Sequence, residues 1–308
     1  MSRFLIIGAG ATGRATAAAL VDGGHQVTML TRSGGANAPG ITREAGDAGD
    51  LETVTRVAQG AAAVINCANP KYHRWPTDWP PIARTLQGAC EATGATLVTL
   101  SNLYAYGEVT TPMSPDMPLS AHYPKAQIRA QMWHDALSAH DAGRLNCVEL
   151  RASDFIGAGA QSQFGNQLIP RILRGKAAYV LGSATTRHSW TYVGDVGRSL
   201  AAAATDERWW GHAWHVVTNE AKTAAEVVDD LADVAGVPRV ATKPIPRAMM
   251  TAAGLFSPQV REFRYTAYQF ERDFIIDDQL TRDTFGVAPT PWDEICRNVV
   301  APFRHDTK

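Results

Sequence analysis

Short apolar runs alternate with amphipathic segments through the first half of the chain. The runs with a strand pattern are residues 3–7, 26–31, 41–45, 62–68, 95–100 and 145–151. The helix-forming segments between them are residues 14–20, 51–59, 82–93 and 123–140. The run at 62–68 is apolar throughout, which is typical of a parallel strand covered on both faces. The alternation predicts an α/β fold with a doubly wound, mostly parallel sheet and right-handed crossovers.

A glycine-rich turn follows the first predicted strand at once. Its glycines have the spacing G-x-G-x-x-G, and helix formers come directly after them. In this arrangement the first glycine permits a tight turn, the second lets main-chain amides approach a pyrophosphate, and the third allows close packing of helix on strand. The positive end of the helix then faces the phosphates. The predicted cofactor contacts in the turn are Gly8, Gly10, Ala11, Thr12 and Gly13; the alternative is a plain connecting turn.

The end of the second strand indicates which dinucleotide binds. An acidic residue here would bind the ribose 2′-hydroxyl of NAD, whereas a basic residue accommodates the 2′-phosphate of NADP. The chain has Thr31, Arg32 and Ser33 and no acid at this point. NADP(H) is therefore favoured over NAD(H), and the alternative is a solvated loop arginine. Further cofactor contacts are predicted after the third and fourth strands, at Asp47, Ala48, Cys67, Ala68 and Asn69.

Residues 69–81, which follow the fourth strand, have an unusual composition for a connecting loop. They hold three aromatic side chains, a histidine and two basic residues among several prolines. Open α/β sheets bind ligands at the carboxyl ends of their strands, and this segment leaves such an end. We expect Tyr72, His73 and Trp75 to contact the substrate, and the basic side chains to suit an anionic or aromatic compound. The alternative is a proline-stiffened packing loop.

Composition and charge narrow the class of partner. The 308 residues carry a net charge of −1 with no basic run, which disfavours nucleic acid. The four cysteines are scattered, so neither a metal knuckle nor a disulfide framework is expected. We expect them to be buried thiols of a protein in a reduced compartment. No apolar stretch approaches the length of a membrane span. We expect a cytoplasmic protein with a small-molecule substrate and no metal.

Together these motifs resemble the extended branch of the short-chain dehydrogenase/reductase superfamily, the group of sugar-nucleotide epimerases and dehydratases. The resemblance runs through most of the chain and rests on the motifs at residues 8–13, 46–47, 101–107, 125, 151–157, 190–196 and 274–291. It implies a Rossmann-like parallel sheet with a smaller C-terminal substrate-binding lobe. It also implies hydride transfer to or from a bound nicotinamide.

The resemblance implies a catalytic set that this chain has only in part. The family uses a Ser or Thr after the fifth strand, and a Tyr four residues before a Lys. Lys125 matches the Lys, but Ala121 stands at the Tyr position and Asn102 at the Ser position. The chain is therefore expected to be an atypical member. Asn102 can still orient a substrate carbonyl, and Lys125 can bind the nicotinamide ribose.

Three side chains are candidates for the missing proton donor. Tyr104 follows Asn102 at the end of a strand, and His73 lies in the aromatic loop. Tyr123 is only two residues from Lys125, so on a helix the two would point to different faces. Tyr123 qualifies if the backbone before Pro124 is not helical. The alternative for each tyrosine is packing in the wall of the cleft.

The second half of the chain is less regular. We predict a dinucleotide-binding domain at residues 1–150 and a smaller substrate-binding lobe, interwoven with it, at residues 151–308. Asp154, His188 and Trp190 lie in segments expected to line the substrate cleft. The alternatives are a turn cap for Asp154 and a backbone carbonyl contact for His188. Asp195 is predicted to cap the helix that follows it.

The function predicted from these features is an NADP(H)-dependent oxidoreductase acting on a small carbonyl, imine or activated alkene. One alternative is a sugar-nucleotide-type epimerase or dehydratase that retains its cofactor. Another is a non-catalytic NADP(H)-binding sensor. The family resemblance also suggests a homodimer through the helices at 82–93 and 123–140. The alternative is that this face is solvated, which Arg129, Gln131 and Asp135 would suit equally well.

Overall fold

The computed structural model describes residues 1–303, apart from the side chain of Gln259. The strands are β1 (Arg3–Ile7), β2 (Gln26–Thr31), β3 (Ile41–Ala45), β4 (Ala63–Asn66), β5 (Thr96–Asn102), β6 (Cys147–Ala152), β7 (Asp154–Ile156), β8 (Ala178–Val180), β9 (Arg187–His188), β10 (Trp190–Tyr192), β11 (Ala213–His215), β12 (Lys222–Thr223) and β13 (Thr242–Pro244). The helices are α1 (Ala11–Asp22), α2 (Leu51–Ala58), α3 (Trp75–Thr93), α4 (Pro124–Asp141), α5 (Ile169–Leu173), α6 (Val193–Thr205), α7 (Ala224–Ala235), α8 (Arg247–Phe256), α9 (Pro258–Glu262), α10 (Tyr268–Glu271), α11 (Gln279–Phe285) and α12 (Trp292–Val300).

Seven strands form one parallel sheet in the order β11-β6-β5-β4-β1-β2-β3. The chain starts at β1, moves outward through β2 and β3, and then returns to β4 on the other side of β1. The direction of winding therefore reverses between β1 and β4, where open α/β sheets bind ligands. The predicted doubly wound α/β fold is confirmed.

The chain folds into two compact units that are each discontinuous in sequence. Unit 1 comprises Met1–Gly107, Pro115–Ala152 and Val196–Val216, and unit 2 comprises Glu108–Ser114, Ser153–Asp195 and Val217–Lys308. This division differs from the single boundary predicted at residue 150. The reason is the late strand β11, which pairs with β6 of the central sheet and so brings its segment into unit 1.

The core of unit 1 lies against the central strands. All four residues of β4 are buried, as are the last four of β1. Leu5, Val64 and Leu97 from three adjacent strands pack in one cluster with residues of α2, α3 and α4. This burial explains why β1 and β4 are mostly apolar, since buried parallel strands are covered by helices.

Helix α3 starts earlier than the sequence predicted. The segment expected to be a loop up to Pro81 becomes a helix at Trp75, after a single turn of 3₁₀ helix at Tyr72–Arg74. Pro76 lies in the first turn, where a missing N–H costs no hydrogen bond, but Pro80 and Pro81 lie further inside. The burial of Trp75 and Trp79, at 3% and 1% exposure, offsets that loss.

Unit 2 is built from short paired strands and helices. Its pairs are β10–β7, β12–β9 and β13–β8. Helix α7 is well capped, since Thr223 and Glu226 form a reciprocal capping box at its start. The prediction that Asp195 caps a helix is wrong, because α6 already begins at Val193. Asp195 is buried and accepts hydrogen bonds from the main-chain N and the Oγ1 of Thr290, at 3.1 and 2.7 Å.

Two general features complete the description of the fold. Within residues 1–303 no helix has both the length and the apolar composition of a membrane span. The four cysteines are buried free thiols, at positions 67, 90, 147 and 296.

Candidate functional site

The glycine turn between β1 and α1 has the geometry that its spacing predicts. Gly8 has a φ of 99°, in the region that favours glycine, and its N donates to the Leu30 carbonyl at 2.9 Å. A Cβ on Gly8 would lie 2.9 Å from the Cys67 carbonyl oxygen. A Cβ on Gly13 would lie only 2.3 Å from the carbonyl oxygen of Gly8. Both positions therefore require glycine for steric reasons.

Gly10 is different, because the space beside it is open. It is the N-cap residue of α1, and a Cβ built there meets no atom within 4 Å among the described residues other than Gly10 itself and its two chain neighbours. Glycine has no side chain that could accept a hydrogen bond from the first turn of α1, and no side-chain cap is present there among the described residues. The main-chain amides in the first turn of a helix have no acceptor inside the helix. Free amides at the positive end of a helix beside open space fit a dinucleotide pyrophosphate. Gly8 to Gly13, with Ala11 and Thr12, would hold that group.

The other predicted cofactor residues lie at the same edge of the sheet, because parallel strands end together. Arg32 and Ser33 are exposed just after β2, and Thr31 Oγ1 donates to the Gly34 carbonyl at 2.9 Å. Asp47, after β3, is exposed and accepts from the Gly49 N at 2.8 Å. Ala48 follows it and is partly buried against the unit 1 core.

The end of β4 supplies the last of these residues. Cys67 is buried, and burial raises the pKa of its thiol to about 12, so it stays protonated at neutral pH. The Ala68 N donates to the side chain of Asn66 at 3.2 Å, and Asn69 leads away from the sheet. These residues would line the cofactor with main-chain groups and small side chains.

Positive charge gathers beside the start of α3. Arg74 donates to Asp78 through Nε and Nη2, at 3.1 and 2.9 Å. This hydrogen bonding is the main reason why the pKa of Asp78 is below its ordinary value, and the charge of Arg32 adds to the effect. Arg32 therefore lies close enough to α3 for its charge to be felt there. His73, directly before Arg74 in the chain, is exposed.

A cluster of rings and cations lies at the carboxyl ends of β4 and β5, and we call it the aromatic–cation cluster. Its members are Tyr72, Trp75, Trp79, Tyr104, Lys125 and Arg129. The Trp75 ring centroid is 5.0 Å from that of Tyr72, 6.1 Å from that of Trp79 and 6.1 Å from that of Tyr104. All six residues belong to unit 1. The buried position of Trp75, with its Nε1 donating to the Pro70 carbonyl at 3.1 Å, makes it a packing residue of the cluster.

Arg129 is the member that the sequence analysis missed. It had been grouped with two side chains suited to a solvated face, and Gln131 and Asp135 are indeed exposed. Arg129 instead has 6% exposure, with its guanidinium 4.8 Å from the Trp79 ring centroid and 5.6 Å from that of Trp75. Nη2 donates to the Leu100 carbonyl at 2.8 Å, and burial lowers the pKa of the group.

A matched spacing in the sequence signals this cluster. Trp75 and Trp79 are four residues apart on α3, and Lys125 and Arg129 are four apart on α4. Residues at this spacing lie on one face of a helix. Two tryptophans on one helix and two cations on another are complementary, since a cation is attracted to the face of an aromatic ring.

Lys125 is buried in the first turn of α4, with 3% exposure. Its Nζ lies over the ring of Tyr72, 4.6 Å from the centroid. Lys125 is therefore not a solvated surface lysine. The structure thus brings together a cation of the predicted catalytic set and a tyrosine predicted only as a substrate contact.

The other candidate catalytic residues surround this pair. The backbone of Tyr123 is extended, with φ −85° and ψ 150°, because α4 begins only at Pro124. The condition for considering Tyr123 is therefore met, and its hydroxyl donates to the main-chain carbonyl of Tyr104 at 3.1 Å. Asn102 accepts from the Tyr104 N at 3.1 Å through its side-chain oxygen. Ala121 lies before the helix, and its N donates to the Ala105 carbonyl.

Unit 2 contains the remaining predicted substrate contacts. His188 is buried, with Nδ1 3.0 Å from the Gln269 carbonyl oxygen and Nε2 3.0 Å from Asp154 Oδ2. The backbone carbonyl contact considered for His188 is thus present. The carboxylate of Asp154 keeps 25% exposure, which leaves it accessible to a ligand. Trp190 is 3% exposed and donates to the Lys222 carbonyl, so its main role is packing.

A second buried polar network in unit 1 also escaped the sequence analysis. Arg151 donates to Glu149 at 2.7 Å and to the Tyr106 hydroxyl at 2.6 Å, and that hydroxyl lies 2.8 Å from His215 Nε2. Burial raises the pKa of Tyr106 to about 12, so this phenol stays neutral. A Glu and an Arg two residues apart in an otherwise apolar strand were the available signal.

A glycine turn that opens a helix at the switch point of a parallel sheet defines a dinucleotide-binding protein of Rossmann type. The sequence model of the NAD dependent epimerase/dehydratase family matches residues 4–216, and the chain belongs to this family. This membership confirms the resemblance and supports an NAD-dependent enzyme. A comparison with curated protein sequences found no significant match.

Solved structures with the same fold include enzymes of sugar-nucleotide chemistry. A dTDP-glucose 4,6-dehydratase from Bacillus anthracis, in complex with NAD, has a TM-score of 0.79 and 16% identity over 100% of this chain and 98% of that chain. A UDP-glucose 4-epimerase from Thermotoga maritima, with UDP-glucose, has a TM-score of 0.76 and 18% identity over 99% and 100%. The UDP-glucose 4-epimerase from Brucella ovis, with NAD, has a TM-score of 0.75 and 19% identity over 98% of both chains. At this identity the likeness establishes the shared fold.

Within the part of the chain that the structure describes, no three His, Cys, Asp or Glu side chains are grouped as metal ligands would be.

Proposed function

We propose that the protein is an NADP(H)-dependent oxidoreductase that transfers hydride to or from a small carbonyl, imine or activated alkene. The observation that carries the proposal is the burial of Lys125 against Tyr72 in the unit that also holds the glycine turn. When bound, the nicotinamide supplies or accepts the hydride. The side chains at the ends of β4 and β5 then have to orient the substrate and move one proton.

Four residues of unit 1 share the tasks of orientation and proton transfer in this proposal. Lys125 provides a cation beside the nicotinamide ribose and the tyrosines. The side-chain oxygen of Asn102 accepts from the Tyr104 N, so its amide group would donate to the substrate oxygen. Tyr104 and Tyr123 complete the wall around that oxygen. In unit 2, taken by itself, the partly exposed carboxylate of Asp154 beside the buried His188 would accept a hydrogen bond from a polar ligand group.

The preference for NADP(H) is supported by the end of β2. Arg32 is exposed, and no acidic residue is present among Thr31, Arg32 and Ser33. A guanidinium pairs well with a phosphate, and a hydrogen bond to a charged group contributes about 1.5–3 kcal/mol. Arg32→Ala should therefore weaken NADPH binding by about 10- to 100-fold and leave NADH binding nearly unchanged. Equal losses for the two coenzymes, measured by calorimetry, would contradict the preference.

The proposed activity has a direct test. Purified protein is mixed with NADPH, and the absorbance of the reduced coenzyme is followed against a panel of carbonyl, imine and activated alkene compounds. We expect decay with at least one compound and heat of binding for NADPH alone. Binding without decay on any compound would instead favour a dinucleotide sensor.

A second candidate is favoured by the family itself. An epimerase or dehydratase that retains its cofactor would act on a sugar nucleotide and show no net consumption of NADPH. Such a reaction also needs an acid/base group near the substrate, so the same residues would be used. Incubation with UDP-glucose or dTDP-glucose, followed by chromatography of the sugar nucleotide, distinguishes the two functions.

A homodimer through α3 and α4 is part of the proposal. These helices line a groove of about 790 Å³, with side chains such as Pro80, Arg84, Ile128 and Gln131. The groove lies entirely within unit 1, and in this proposal a second copy of the chain occupies it. Light scattering should give twice the chain mass, and Ala130→Arg should return the monomer mass.

A further inference from the structure

We infer that Tyr72 is the side chain that exchanges the proton with the substrate, and that Lys125 activates and positions it. This inference rests on the proposed oxidoreductase function, which needs a proton donor. It assigns a role to a residue that the sequence analysis treated only as a substrate contact.

The position of Lys125 carries the first step. The cation lies in the first turn of α4, where the positive end of the helix is unfavourable for it, and it is almost completely buried. Its Nζ lies 4.6 Å from the centroid of the Tyr72 ring. A cation over a phenol is attracted to the ring and is attracted more strongly to the phenolate. Lys125 therefore stabilises the ionised form of Tyr72, the form that the phenol takes when it gives its proton to the substrate.

The second step is the orientation of the ring. Trp75 meets the Tyr72 ring edge-on, at 5.0 Å and an interplanar angle of 71°. Tyr104 meets it at 6.3 Å and 78°. Together with Lys125 these contacts restrict the ring, while Tyr72 stays half-buried and so remains reachable by a small molecule. A restricted and partly accessible phenol is what positioned acid catalysis needs.

The third step compares Tyr72 with the other tyrosines. The hydroxyl proton of Tyr123 is donated to the Tyr104 carbonyl at 3.1 Å. Transfer of that proton to a substrate would leave the carbonyl without this donor. The Tyr104 ring packs against both Tyr72 and Trp75, and its part is to hold Tyr72 in place. The ammonium of Lys125 lies over the ring of Tyr72.

The chemical step balances as follows for reduction of a carbonyl. The substrate carbon gains a C–H bond from the hydride, and the C=O π pair moves to oxygen. That oxygen forms an O–H bond with the proton of Tyr72 Oη as the phenol O–H bond breaks. The phenolate remains beside the Lys125 ammonium and regains a proton from water. Oxidation of the alcohol follows the same path in reverse.

The experiment has a readout that does not depend on turnover. Phenolate absorbance is followed during an alkaline titration of the ligand-free wild type, Tyr72→Phe and Lys125→Met. We expect one phenolate of the wild type to form at lower pH than the others. It should be missing in Tyr72→Phe and should form at higher pH in Lys125→Met. Superimposable curves for the wild type and Lys125→Met would overturn the inference.

Activity supplies the second readout. Tyr72→Phe should lower kcat by about 10²- to 10⁴-fold, the range for loss of a general acid, while its calorimetric affinity for NADPH stays within about twofold. Tyr179→Phe, at an exposed tyrosine of unit 2, is the matched control and should keep wild-type kcat. Wild-type kcat in Tyr72→Phe would overturn the inference. If no compound is turned over by the wild type, the proposed function fails, and the titration still decides the pairing of Tyr72 with Lys125.

Discussion

The glycine turn and the aromatic–cation cluster both lie at the ligand edge of the unit 1 sheet, yet they are built in opposite ways. The turn consists of main chain within residues 8–13, and its geometry depends on missing side chains. The cluster consists of large side chains from segments about fifty residues apart along the chain, and it exists only where α3 packs beside α4.

This difference separates two kinds of requirement. In the turn, a single added carbon would strike a carbonyl oxygen, so the constraint is steric and local. In the cluster, buried cations are accommodated by ring faces and a carbonyl, so the constraint is energetic and depends on neighbours. Gly8 and Gly13 of the turn are expected to tolerate almost no change. The cluster is expected to tolerate changes that keep its volume.

The largest expected effect is the removal of a ring from the cluster. Trp79 has 1% exposure and packs on both Trp75 and Arg129. Trp79→Ala should lower the free energy of unfolding by about 3–5 kcal/mol, since it leaves a large cavity. Denaturant titration measures the loss, and Trp79→Phe should lose clearly less. A loss below about 1 kcal/mol in Trp79→Ala would mean that the cluster is not part of the core.

The next effect tests the steric requirement of the turn. The Cβ of Gly13→Ala would lie 2.3 Å from the Gly8 carbonyl oxygen, so helix and strand must move apart. Overpacking of this kind costs about 1–3 kcal/mol. We expect a lower midpoint of thermal unfolding and no measurable coenzyme binding. Wild-type stability in this variant would show that the turn is softer than its geometry indicates.

Gly10→Ala sharpens the same point, because it is sterically free in the ligand-free protein. Apart from residue 10 itself and its two chain neighbours, no atom of the described residues lies within 4 Å of the added carbon. Its unfolding free energy should stay within about 0.5 kcal/mol of the wild type. The methyl group would occupy the space of the pyrophosphate, so NADPH affinity should fall by about tenfold or more. Unchanged affinity, measured by calorimetry, would place the dinucleotide elsewhere.

The smallest expected effect concerns Arg129, one of the two cations of the cluster. Arg129→Met keeps the volume and removes a buried charge whose Nε has no partner among the described residues. Its unfolding free energy should change by about 1 kcal/mol or less, because the desolvation cost of the charge is removed as well. Arg151→Met is the contrasting variant, since it leaves Glu149 buried without this partner and should cost about 3–5 kcal/mol. Equal losses of unfolding free energy in the two variants would show that the buried charges of Arg129 and Arg151 are not held in different ways.

The two regions also differ in how well they could be predicted. The strand, glycine turn and helix were predicted from consecutive residues, and the structure has them at β1, Gly8–Gly13 and α1. The segment from Trp75 to Pro81 was predicted as a loop, because its prolines are local signals that oppose a helix. The segment is helical because Trp75 and Trp79 are buried against α4. Such burial cannot be predicted from a short stretch of neighbouring residues.

By itself the sequence determined the α/β alternation, the place of the glycine turn and the resemblance to the epimerase/dehydratase group. Those features depend on backbone sterics and on the spacing of neighbouring residues, which a local reading captures. Only the tertiary structure decided that Arg129 is buried, that β11 joins the central sheet and that Lys125 lies over Tyr72. Each of these depends on which distant segments pack together, and that choice is made by the burial of the whole unit.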